Sequence, residues 1–298
     1  MNGIKVRLGE IAVLLAATMW GCIGLFTRTM LKIGFTAVQI VAVRAFITVL
    51  LMAVVILIVN PKLFKIHLKD LWMFFGTGIL SFLFFNVCYM SSIGENSLSV
   101  ACILMYTSPI WVATLSLLLF KEKMTLQKII AFILAFGGCI MMCCSDSLKL
   151  TKIGLVFGLG SGLGYALYSI FGKYAAEKYN SLTITFYTFL FGSVGVLPLC
   201  DMPRLLPLVS DFKGIALSVG VAIVCTVLPY LLYTYGLSKT GAGKASVIAI
   251  LEPAVASLVG VLFFNEGLGI LGFFGLILVI TGLIYLEIGR PLKLRKTR

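Results

Sequence analysis

Charge is scarce in this chain. Of its 298 residues only 12% are Asp, Glu, Lys or Arg, against roughly 25% in an ordinary soluble domain, so a water-soluble fold is excluded. Histidine occurs once, at His67 in a short polar stretch, where it reads as a solvated loop residue. The eight cysteines, Cys22, Cys88, Cys102, Cys139, Cys143, Cys144, Cys200 and Cys225, fall in or at the ends of apolar segments and show no CxxC spacing. Neither a metal site nor a disulfide framework is expected from them. The longest polar stretches, 61–70 and 201–212, are too short to bury a core, which leaves no soluble domain. A phosphate loop is lacking as well. Gly241-Ala242-Gly243-Lys244-Ala245 has no Ser or Thr after the lysine and no first glycine at the required distance, so neither ATP binding nor any other cofactor is expected. The glycines at 158, 160, 162 and 164 lack the strand–turn–helix setting of a dinucleotide site. Their two GxxxG spacings instead permit close helix approach.

Apolar sequence is abundant: 60% of the chain is hydrophobic. A bilayer core needs about 20 apolar residues per helix, and ten stretches qualify, near 11–27, 35–59, 71–92, 97–120, 128–145, 153–172, 180–200, 214–238, 244–264 and 268–287. The fold class is therefore an all-α integral membrane protein with ten transmembrane helices. The first stretch has no small-residue cleavage site and runs on into further spans, so it is expected to be retained rather than removed as a signal peptide. The net charge of +13 lies in short clusters between spans, which marks topology and not nucleic-acid binding. With the N-terminus cytoplasmic, inside segments hold seventeen Lys and Arg against six outside. Both termini are thus expected in the cytoplasm of a cell (plasma or inner) membrane protein. The basic segment 289–298 serves as an orientation signal or a contact to anionic membrane lipid.

Slid against itself, the sequence comes into register at an offset of 144 residues. Tyr89 falls on Tyr233, Ala101 on Ala245, Pro109 on Pro253, Phe120 on Phe264, Glu122 on Glu266 and Gly138 on Gly282. The expected units are 9–145 and 153–288, each of five spans. Because five is odd, the second copy enters from the opposite side, so the two halves form an inverted-topology repeat of the kind secondary transporters use. A membrane scaffold has no need of two exchangeable halves. A membrane-embedded enzyme for lipid-linked substrates would need clustered carboxylates or histidines that this chain lacks, so no catalytic residue is assigned.

The chain resembles the drug/metabolite transporter superfamily, specifically its EamA-type exporters. The residues that carry the resemblance are Ala17-Thr18-Met19-Trp20-Gly21, Arg44-Ala45-Phe46, Ser108-Pro109 with Phe120-Lys121-Glu122, and Glu252-Pro253 with Phe264-Asn265-Glu266. The resemblance implies export of amino acids or related small organic metabolites from a central cavity lined mainly by spans one, three, four, six, eight and nine. An importer or carrier of another small metabolite with the same fold is the alternative. The oligomer is expected to be a monomer or homodimer. Gly164 departs from the pattern, because it answers Trp20; an aromatic wall there has to come from Tyr165 or Tyr168.

Candidate site residues follow from cost and chemistry. Arg44 and Glu252 are the charges placed well inside spans, where each needs a partner or a watery cavity. Arg44 either anchors its helix or holds a substrate carboxylate. Glu252 either fixes packing by a permanent pairing, for instance with Arg44, or carries a proton or binds an amine. Pro109 and Pro253 are expected to kink their helices as hinges or purely architectural bends. Glu122 and Glu266 read as helix-end contacts. Most tyrosines and tryptophans near span ends belong to the interfacial belt. Trp20, Tyr89, Tyr165, Tyr168 and Tyr233 are the candidates for cavity lining, through stacking or cation–π contact with an organic substrate.

Overall fold

The computed structural model describes residues 2–122, 125–143, 150–265, 267 and 269–288. Lys123, Cys144, Lys149, Glu266 and the basic segment 289–298 lie outside the described residues. Every regular element described is helical, as apolar sequence in a bilayer requires, since helix hydrogen bonds are satisfied within the segment. In chain order, α1 (Asn2–Gly21) and α2 (Ile23–Lys32) make the first span and α3 (Ala37–Val59) the second. The third span is α4 (Leu71–Phe75), a π-helical segment Gly76–Leu83 and α5 (Phe84–Glu95). The fourth is α6 (Leu98–Met105) with α7 (Ser108–Phe120), and the fifth is α8 (Leu126–Cys143). The second half runs α9 (Lys152–Ala176), α10 (Ser181–Val196) and a short connecting helix α11 (Met202–Ser210). Its eighth span joins α12 (Phe212–Ala222) through a π-helical segment Ile223–Val227 to α13 (Leu228–Thr240). The ninth is α14 (Ala242–Ile248) with α15 (Leu251–Phe264), and the tenth is α16 (Ile270–Ile288). Among the described residues nine stretches are long and apolar enough to cross a membrane, and Ile270–Leu286 is a shorter apolar tenth.

Local chemistry sets the ends. Thr36 and Gln39 form a capping box at the start of α3. Asp211 accepts from the backbone of Lys213 and Gly214 to start α12. The bundle's outer faces are apolar, with Ile58, Leu118 and Leu262 all more than two-thirds exposed, as lipid-facing positions should be.

The repeat seen in sequence is also present in backbone irregularities. Shifted by 144 residues, the π-helical segment of the third span covers that of the eighth. The break between α6 and α7, so shifted, overlaps the break between α14 and α15 at Ile250. Among the described residues the non-glycine positions with positive φ are Lys121 (55°) and Asn265 (54°), again 144 apart. Their backbone N–H groups close the ends of α7 and α15 onto Ser116 O and Gly260 O. Packing follows the same exchange: α1 lies on α13 as α5 lies on α9, α3 meets α10, and α8 meets α16.

The prolines do not kink continuous helices. Each spans a restart: α6 ends at Met105 and α14 at Ile248, two residues intervene, and Pro109 and Pro253 sit in the first turns of α7 and α15. A proline lacks an N–H, which costs nothing in a first turn whose N–H groups have no helical partner. The intervening residues are bridged by tight bonds, Ile110 N to Thr107 O at 2.9 Å and Glu252 N to Ala249 O at 3.0 Å.

Contact between α8 and α16 relies on missing side chains. A Cβ on Gly138 would lie 2.4 Å from Gly275 O, and one on Gly275 would lie 2.5 Å from Gly138 O. Neighbouring Gly137 has open space. Gly138→Ala should therefore cost about 1–3 kcal/mol by overpacking, whereas Gly137→Ala should be neutral or gain up to about 1 kcal/mol from helix propensity. Thermal unfolding of the two variants in detergent checks this; equal melting points would contradict the packing.

Candidate functional site

The two halves meet around an aromatic cavity. Trp20 comes from the last turn of α1, two residues before the break at Cys22. Ser81 and Phe82 project from the π-helical part of the third span, and Phe85 from α5. Tyr165, Tyr168 and Ser169 come from α9, and Tyr230 and Tyr233 from α13. The rings pack edge to face or tilted. Trp20 lies 5.4 Å from Tyr230, 5.3 Å from Tyr233 and 6.3 Å from Tyr165 between centroids. Tyr168 lies 5.0 Å from Tyr230. Closure is nearly complete, because the remaining cavity is about 20 Å³, room for little more than one water.

Buried tyrosine hydroxyls need partners, and each bond found here ties spans together. Tyr168 Oη meets Thr234 Oγ1 at 2.7 Å, and Tyr233 Oη meets Ser169 Oγ at 2.7 Å, joining α9 to α13 twice. Tyr165 Oη donates to Glu252 Oε2 at 3.0 Å, joining α9 to the restart of the ninth span. Ser81 Oγ donates to Gly164 O at 2.8 Å. That contact needs glycine, since a Cβ at 164 would meet the Phe85 backbone at 2.9 Å. Gly164 thus lets the third span close on α9, while Tyr165 and Tyr168 fill the place that Trp20 takes in the first half.

Arg44 and Glu252 stand at the edge of this box. Among the described residues they form no ion pair with each other or with anything else. Arg44 is buried, and its Nε donates to Thr226 Oγ1 at 3.1 Å. Thr226 sits in the π-helical part of the eighth span and donates in turn to Val221 O at 3.2 Å. Such π-helical turns expose backbone groups and recur at functional sites. Both charges lie close enough to act electrostatically on Tyr230 in the ring cluster.

Of the residues singled out from sequence, Trp20, Tyr165, Tyr168 and Tyr233 share one cavity. Tyr89 stands one layer back, stacked on Phe85 at 5.8 Å with its hydroxyl 3.0 Å from Cys102 Sγ. The fourth and ninth spans do not line the closed cavity; Glu252 touches it through Tyr165. Tyr230 was missed, although Tyr230 and Tyr233 repeat the three-residue spacing of Tyr165 and Tyr168 and so share a helix face. Phe85, Ser169 and Thr226 carried no sequence signal.

Charges also cluster where the first span begins, and sequence reading placed these at span ends or in loops. Lys244 Nζ donates to Glu10 Oε1 at 2.7 Å, both largely buried. Lys173 pairs with Glu122 and lies 3.9 Å over the Phe120 ring. Lys178 Nζ meets Asp70 Oδ1 at 2.6 Å, and Tyr179 Oη donates to Asp70 Oδ2 at 2.6 Å. The hydrogen bond to Asp70 holds the Lys178 ammonium above its ordinary pKa. In all three pairs the acid belongs to the first half and the lysine to the second. At the opposite end the halves meet through other contacts: Thr151 N donates to Asn96 Oδ1 at 3.0 Å and Ser92 Oγ to Gly154 O at 3.2 Å.

Apolar spans, two repeated helical halves and a closed cavity between them define a multi-pass membrane transporter, not an enzyme. The sequence profile of the EamA-like transporter family matches residues 7–144 and again 152–287, and the chain belongs to that family. It is similar to two uncharacterized transporters of Archaeoglobus fulgidus, at 28% identity over 94% of this chain and 96% of the relative, and at 30% over 92% and 96%. An uncharacterized transporter of Bacillus subtilis is 23% identical over 95% of each chain. A crystal structure superposes with a TM-score of 0.79 over 93% of this chain and 95% of that one. At 12% identity it shows the shared fold.

If Tyr168 and Thr234 hold α9 against α13, a double-mutant cycle of Tyr168→Phe and Thr234→Val should give a coupling of about 0.5–1.5 kcal/mol in unfolding stability. Additive losses would contradict the bond.

Proposed function

We propose that this protein exports amino acids or related small organic metabolites across the plasma membrane by alternating access, with both termini cytoplasmic and its two halves inverted. The observation that carries this reading is the closed aromatic cavity between the halves, rimmed by one cation and one carboxylate. A zwitterion suits it: an ammonium group takes the faces of Trp20 and the tyrosines and the charge of Glu252, and a carboxylate takes the guanidinium of Arg44. A cavity of about 20 Å³ cannot hold such a solute, so this is a closed conformation that must open to work. Outward is the direction of the EamA-type exporters that the sequence resembles.

Inversion is supported by direction of packing. Along the third and sixth spans Asn96 lies by Gly154, Cys88 by Gly160 and Phe171 by Gly76, so these spans run antiparallel. The odd-numbered third and the even-numbered sixth do so if five spans separate the copies. The three half-to-half ion pairs then lie on the cytoplasmic side and keep that side shut in the closed conformation. Opening inward breaks them, and water solvates the freed charges.

Glu252 is the group best placed to link transport to protons. It touches the cavity through one hydrogen bond and sits at the restart of a broken helix, while the equivalent position in the first half is Ser108. In Glu252→Gln, exchange of substrate between equal pools should survive and proton-driven accumulation should disappear. Unchanged pH dependence in the variant would remove Glu252 from coupling. Arg44 should tolerate Lys poorly, because Lys lacks the planar fork; normal transport by folded Arg44→Lys and Arg44→Gln would end its role in substrate binding.

Topology is checked separately. In a cysteine-free background, an impermeant maleimide should label Ser210→Cys from outside and Lys65→Cys only after permeabilisation, both positions being exposed. The reverse pattern would overturn the orientation.

A further inference from the structure

A second concavity, of about 550 Å³, lies on the bundle's flank where α1, the ninth span and α16 meet. It is much larger than the aromatic cavity and separate from it, and its walls are almost wholly apolar. Each wall is one helix stripe. From α1 come Arg7, Glu10 and Leu14, at the spacing of three and four residues that shares a face. Lys244 and Leu251 come from the ninth span, and Ile284 from α16.

Polarity changes along the groove. The charged residues stand together at the end where α1 begins, and farther in the lining is aliphatic, with Ile11 and Leu14 from α1 and Ile248 and Leu251 from the ninth span. Arg7 forms no ion pair among the described residues. Lys244 is bonded to Glu10 at 2.7 Å. Among the described residues that line it, the mouth therefore holds two cations against one carboxylate. A polar solute would leave its hydrogen bonds unmet against the aliphatic walls, and a purely apolar one would ignore the mouth.

We propose that this groove is a binding site for an anionic phospholipid, its phosphate at Arg7 and Lys244 and one acyl chain against Leu14, Leu251 and Ile284. A zwitterionic lipid matches the walls equally well, but it carries its own cation into a mouth that is already positive. The groove's floor includes Leu251, the residue before Glu252 at the restart of the ninth span. A bound lipid therefore packs against the same helix break that positions Glu252. The site rests only on the protein's being membrane-embedded, and not on its proposed substrate, direction or orientation.

The test is native mass spectrometry of the full-length protein titrated with phosphatidylglycerol and phosphatidylcholine in the same detergent. Wild type should retain phosphatidylglycerol in preference. Arg7→Gln should lower that retention about five-fold, the effect of one basic residue near an anionic lipid, and Arg7→Lys should keep it. Ile284→Trp, at a half-exposed position that tolerates bulk, should reduce retention of both lipids by filling the groove. Equal retention of the two lipids by wild type would overturn the proposal. So would phosphatidylglycerol retention unchanged in Arg7→Gln, or a stable dimer that excludes lipid from this flank. None of these readouts measures transport, so failure here leaves the transport reading standing, and loss of transport leaves this site standing.

Discussion

Inside a bilayer no water is available to rescue an unpaired backbone group, and the whole structure depends on that constraint. Ten apolar helices satisfy it along their lengths. The exceptions are few and concentrated: the breaks at Cys22, at Tyr106–Thr107 and at Ala249–Ile250, and the π-helical segments of the third and eighth spans. Most surround the aromatic box or its charged rim. Irregular backbone is tolerated at membrane depth only where protein or a water-filled cavity covers it, and this clustering supports the proposed path of a polar solute through the aromatic box. Trp20 stands beside one defect, Phe82 and Thr226 lie within two others, and Glu252 follows a fourth.

Small residues make the second requirement possible. Without a hydrophobic drive between helices in lipid, close packing and interhelical hydrogen bonds hold the bundle. Gly164 admits the third span, Gly138 and Gly275 let α8 and α16 touch backbone to backbone, and the Tyr168–Thr234 and Tyr233–Ser169 bonds fasten α9 to α13. These last contacts lie beside the cavity. Any opening that separates α9 from α13 must break hydroxyl bonds worth about 1 kcal/mol each, a cost that thermal motion and a bound solute can meet.

Much of this was legible in the sequence, because its physics is one-dimensional. Apolar length marked the spans, and the 144-residue offset reappeared in the π-helical segments and in the left-handed caps at Lys121 and Asn265. Trp20, Tyr165, Tyr168 and Tyr233 were singled out from the resemblance around Trp20, the three-residue spacing of Tyr165 and Tyr168 and the repeat pairing of Tyr233 with Tyr89, and the four meet at one cavity. What stayed hidden depends on where helices face. Tyr89 and Tyr233 are repeat mates, yet only Tyr233 reaches the cavity. Glu10 and Lys244 looked like loop charges, since each lies at the start of an apolar run and only their mutual contact explains their burial. The prolines signalled irregularity correctly but not its form, because a restarted helix and a kinked one share the same residues.

The same three ion pairs give the cycle a direction-sensitive handle, as they join the halves at one end only. Spin labels at exposed Thr125 and Glu177 report the ion-paired end, and labels at exposed Leu98 and Lys152 report the other. Pulsed dipolar spectroscopy in liposomes measures both distances. Alternating access requires two distances at each end, the long one at either end accompanying the short one at the other. Glu122→Gln should increase the population open at the ion-paired end. A single unchanged distance at both ends, in wild type and in that variant alike, would contradict exchange between two conformations around the aromatic cavity.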